Sequence, residues 1–61
     1  MNQVFKIGKA YQNYVFPEEC VVILKIFKSE GDVYVEYQCM HEPDLIEQTP
    51  IENFEDWYGE C

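Results

Sequence analysis

A chain of 61 residues has room for a single domain, residues 1–61, with one core, and at this size only about 60% of the unfolded surface is buried on folding. Its 48% hydrophobic content, with five Tyr, four Phe and one Trp, argues against disorder even at a net charge of −8. Twelve Asp and Glu against four Lys exclude direct nucleic-acid binding, since phosphates would repel the chain, and no apolar run approaches the roughly 20 residues of a membrane span.

The opening Met1-Asn2-Gln3-Val4-Phe5-Lys6 has no basic stretch leading into an apolar one, so no signal peptide is expected and the expected location is the cytoplasm. Val4 to Tyr14, with Gly8 at its middle, predicts an initial strand or two, and Phe16-Pro17-Glu18-Glu19 a loop. Val21 to Lys28 and Val33 to Cys39, rich in β-branched and aromatic residues, predict a hairpin around the four-residue loop Ser29-Glu30-Gly31-Asp32. Alternation puts Val22, Leu24 and Ile26 on one face of the first arm and Val33, Val35, Tyr37 and Cys39 on one face of the second. Val21, Ile23, Phe27 and Tyr34 lie opposite and also call for cover, as in a sheet that curls into a barrel or sandwich. Leu45 to Gln48 predicts one more short strand.

The period then changes. Thr49-Pro50-Ile51-Glu52 fits a capping box, with Thr49 as N-cap, Pro50 at the first helical position and Glu52 reaching back, so a short helix over about 50–58 is predicted, ending near Gly59. Ile51, Phe54 and Tyr58 form its apolar face, with Trp57 at the margin, while Glu52, Glu55 and Asp56 share the other side. The predicted fold is mainly β (α+β): a small antiparallel barrel or curled sheet of 4–5 strands with a short C-terminal helix.

Charge is segregated along the chain. Lys6, Lys9, Lys25 and Lys28 all precede Ser29 and, with Glu18 and Glu19, leave that part at +2; from Ser29 onward ten Asp and Glu stand alone at −10. An anion of this kind is expected to touch a basic surface. The candidate partner-binding residues are Glu47, Glu52, Glu55, Asp56, Trp57, Tyr58 and Glu60, an aromatic anchor ringed by carboxylates, and the expected partner is a basic protein, regulatory or nucleic-acid-binding. In the sharper version the carboxylates stand where phosphates would, as in a DNA mimic. The alternative is a non-catalytic structural or accessory domain acting as a homo-oligomer; a homodimer would also staple a domain this small.

Three cysteines without an export signal predict reduced thiols. Cys20, Cys39, His41 and Cys61 could on paper surround a zinc ion, but there is no C-x-x-C spacing, so neither metal nor other cofactor is expected. One His, no Gly-rich phosphate loop and no G-x-S-x-G predict no enzymatic activity.

The opening Gly8-Lys9-Ala10-Tyr11, the strands Val21 to Phe27 and Val33 to Cys39 about the Gly31 turn, and the closing Pro50-Ile51-Glu52-Asn53-Phe54 together resemble small phage- or prophage-encoded proteins with SH3-like β-barrels. The resemblance implies a host-takeover or accessory role in the host cytoplasm, exerted as an inhibitor or modulator that binds and blocks a host protein.

Overall fold

Two neighbouring residues at positive φ, Glu30 at 52° and Gly31 at 85°, turn the middle of the chain back on itself. They form the two-residue I′ hairpin that matches the right-handed twist of its arms, and Ser29 and Asp32, placed in the loop by the sequence, are already paired across the strands. The computed structural model describes residues 5–60. Within them lie β1 (Ala10–Asn13), β2 (Cys20–Ser29), β3 (Asp32–Cys39), β4 (Ile46–Pro50), α1 (Ile51–Trp57) and β5 (Tyr58–Glu60). The strands make one antiparallel five-stranded sheet in the order β4-β3-β2-β1-β5, with α1 against one face. The mainly β fold with a short helix is thus as expected. The sheet is open, with β4 and β5 at its edges, and α1 spans from one edge to the other.

A β-bulge decides which residues of β2 meet the core. Ile23 lies opposite Tyr37 and Lys25 opposite Glu36, so Leu24 is an extra residue and the alternation changes phase there. Before the bulge Val21 and Ile23 face inward, at 3% and 0% exposure; after it Ile26, opposite Val35, packs on the same cluster. The inward face expected for β2, Val22 with Leu24 and Ile26, is corrected accordingly, since a strict period of two does not survive an inserted residue. On β3 the expected face holds in its middle, with Val35 and Tyr37 buried, while Cys39 is half-buried and Val33, near the hairpin turn, is exposed.

The core beneath α1 is built largely of rings. Phe54, fully buried, stacks on Tyr58 at 4.7 Å between centroids, lies 5.2 Å from Tyr37, and meets Phe5 edge to face at 5.1 Å. Phe5 in turn meets Tyr11 edge to face at 5.0 Å, and the Lys6 amide donates to the Tyr11 hydroxyl at 2.8 Å. Such contacts give a short chain large buried areas from few residues. Val4 and Cys61 lie outside the described residues.

The helix begins differently from the capping box. Pro50 is the N-cap, with no side-chain cap hydrogen bond, and Thr49 lies within β4, one residue before its end, buried at 7% exposure. Because β4 runs directly into α1, Thr49 is committed to the strand, where it pairs with Val35 and is buried. The helix stops at Trp57 because Tyr58 is already extended (φ −130°, ψ 144°) and enters β5. No helix among the described residues is long and apolar enough to cross a membrane.

Candidate functional site

β1 and β3 run toward one end of the sheet and β2 and β4 run away from it, so the connections 14–19 and 40–45 share that end. Both are built in the same way. In the first, the Glu19 amide donates to the Phe16 carbonyl at 2.8 Å across Pro17-Glu18, and the Gln12 side chain donates to the Pro17 carbonyl at 2.8 Å. In the second, the Leu45 amide donates to the Glu42 carbonyl at 2.9 Å across Pro43-Asp44, and the Gln38 side chain donates to the Pro43 carbonyl at 2.6 Å. Proline presets φ for the first central position of each turn, and an acidic residue fills the second. Each glutamine precedes its proline by five residues, so the pattern Gln-x4-Pro-acid occurs twice in the sequence.

Further bonds hold the two turns to the sheet and to each other. The Asn13 carboxamide oxygen accepts from the Val15 and Phe16 amides at 2.8 and 2.9 Å, and the Asn13 amide donates to the Glu19 carbonyl at 3.0 Å. The Met40 amide reaches the Cys20 carbonyl at 2.9 Å. His41 Nε2 lies 2.6 Å from the Glu18 carbonyl oxygen, and since a carbonyl only accepts, Nε2 carries the hydrogen. The Tyr14 amide donates to the Trp57 carbonyl at 2.9 Å, so the end of α1 arrives at the same place.

This end carries most of the large apolar side chains that stand exposed among the described residues. Among the described residues nine large apolar side chains are more than a third exposed, and seven of them, Tyr14, Val15, Phe16, Met40, Leu45, Ile46 and Trp57, belong to these loops or border them. Glu18, Glu19, Glu42 and Asp44 are exposed between them, and no lysine lies in either connection. Two of these acids come from the lysine-rich part of the sequence. The fold, not the sequence split at Ser29, therefore determines where negative charge collects.

The residues singled out from sequence are dispersed by comparison. Glu52 and Asp56 are exposed on α1 and Glu55 is half-buried, with Trp57 exposed at 47%. Glu55 and Asp56 fall in the last turn, where no basic residue offsets the negative end of the helix dipole. Tyr58 is a correction: it is 7% exposed and stacked on Phe54, so its ring belongs to the core and offers a partner little surface. Glu60 sits on the far edge strand, bonded to Lys9 Nζ at 2.6 Å, which holds its carboxyl below the usual range. Glu47 lies opposite Tyr37 on β4, and the Tyr37 hydroxyl makes a long bond, 3.4 Å, to its carboxylate. Burial, helped by that carboxylate, pushes the Tyr37 hydroxyl far above its ordinary range; burial also raises Tyr58, against the pull of a bond to the Asn13 side chain.

Of the remaining candidates, Cys39 faces the core opposite Val21, Cys20 lies on the other face, and His41 is held by Glu18. Among the described residues no three His, Cys, Asp or Glu side chains come together as metal ligands do, and Cys61 lies outside them. Val15, Phe16 and Met40 were not among the residues singled out as partner-binding, and the doubled Gln-x4-Pro-acid spacing is the signal that marks their loops. Comparison of the chain with protein-family models, curated proteins and solved structures finds no match.

Proposed function

We propose that this chain is a non-catalytic protein-binding module that docks its acidic end on a basic protein. The observation that carries the reading is the gathering of Glu18, Glu19, Glu42 and Asp44 from both parts of the sequence into two braced, lysine-free turns. A cationic surface approaching that end is attracted without an opposing cation to displace, and its binding weakens as salt screens the attraction. A phage-type inhibitor or modulator of a basic host protein is the form this reading takes from the resemblance, with carboxylates at phosphate positions as its sharper version. The strand order, in which β5 returns to pair with β1 after a helical segment, supports taking the sheet as an opened SH3-like barrel.

Capture from lysate followed by mass spectrometry tests the reading. Basic proteins are expected to be retained and to elute as salt rises, and the variant E18Q/E19Q/E42Q/D44N is expected to lose them. Equal retention by that variant would remove the proposal. A second reading, a homo-oligomeric accessory domain, is favoured by one observation: β4 is a free edge strand with Ile46 51% exposed. Sedimentation discriminates, since a stable dimer at micromolar concentration favours the second.

A further inference from the structure

The acidic end is more than a cloud of charge, because its carboxylates are interleaved with exposed apolar side chains on turns that are already rigid. Val15 is 74% exposed, Phe16 53% and Met40 54%, yet the backbone that presents them is fastened by the Asn13, Gln12 and Gln38 side chains and by the His41 bond between the loops. Apolar side chains this exposed gain about 25 cal/mol for each Å² that a partner covers, and a braced loop loses little freedom when it is covered.

Charge selects the occupant. Nucleic acid and anionic lipid are repelled. A second copy presents −8 overall, and its hairpin end carries Glu30 and Asp32 beside Lys28, with Glu52 at the start of α1, so no surplus of cations awaits the turns. What complements apolar positions alternating with carboxylates is a segment in which Arg or Lys alternates with apolar residues.

Resting on the proposed binding function, we propose that the paired turns form one preorganised docking surface for a basic amphipathic segment of a partner protein. Its apolar side chains seat on Phe16, Met40 and Trp57, and its cations meet Glu18, Glu42 and Asp44. Trp57 is the single tryptophan of the chain, so its fluorescence reports the event directly.

The test is titration of the full chain with a synthetic peptide alternating leucine and arginine, beside an oligolysine of equal charge. The leucine-arginine peptide is expected to shift Trp57 emission to shorter wavelength and to bind at least about tenfold more tightly than oligolysine, a difference of about 1.4 kcal/mol. The double variant F16A/M40A, whose side chains are more than half exposed, is expected to bring the two peptides together, while Glu52→Lys at the far end of α1 leaves the difference intact. Equal binding of both peptides to the unaltered chain would overturn the apolar docking surface and leave the charge-driven function standing. A preference for the leucine-arginine peptide that persists undiminished in F16A/M40A would overturn it as well.

Discussion

Glu30 holds a left-handed backbone at φ 52°, a conformation that costs a residue with a Cβ roughly 1 kcal/mol and that asparagine accepts more readily. Glu30→Asn is therefore expected to raise stability by about 0.5–1 kcal/mol, measured as a higher urea midpoint with an unchanged slope. Tyr37 supplies a second prediction at this scale. Its hydroxyl is held protonated by burial and by Glu47, so above pH about 10 the folded chain keeps a proton that the unfolded chain releases. The sign follows: this contribution is fully present below pH about 10 and is lost as pH rises further toward the raised folded value. Tyr37→Phe is expected to flatten the alkaline fall in urea midpoint relative to the unaltered chain, with the share due to Tyr58 remaining.

Thr49 separates two accounts of how α1 begins. A capping threonine works through its hydroxyl and tolerates serine, whereas a buried strand residue works through its methyl and tolerates valine. With Thr49 buried within β4 and no side-chain cap present, Thr49→Ser is expected to cost about 0.8 kcal/mol and Thr49→Val less than that, in paired thermal melts. The reverse order would restore the capping box. Much of this scale was legible in the sequence: the β2–β3 hairpin, the face of β3 and a helix starting near Pro50 all follow from alternation and punctuation. The face of β2 was not, because the bulge at Leu24 inserts a residue that no local composition marks and each half of the strand reads as regular alternation by itself. Tyr58 was misplaced for a related reason. Its spacing from Ile51 and Phe54 suits a helix, but the chain is already extended there to pair Tyr58 with Asn13. The turns at the acidic end were half visible, as loops containing proline; their common construction needed the strand ends that bring Gln12 and Gln38 beside the prolines.

At the scale of the molecule the charges cost something as well as serving a partner. Glu55 and Asp56 lie at the negative end of the helix dipole, so Asp56→Lys is expected to stabilise the fold by about 0.3–1 kcal/mol at low salt, with the gain shrinking as salt is added. The strand order has a separate kinetic implication. The pairings β1–β2, β2–β3 and β3–β4 each join neighbours in the chain, whereas β5 reaches β1 only after α1 has crossed the sheet. Closing that long loop carries the largest entropy cost of any pairing and is repaid only when Phe54 and Tyr58 dock together. α1 and β5 are therefore expected to assemble last and to open first as one unit, and native-state hydrogen exchange should find the Gly59 amide released well before those of Ile23 and Val35. Each such opening releases the Trp57 carbonyl from the Tyr14 amide, so the acidic end loses its aromatic neighbour while its two turns stay formed.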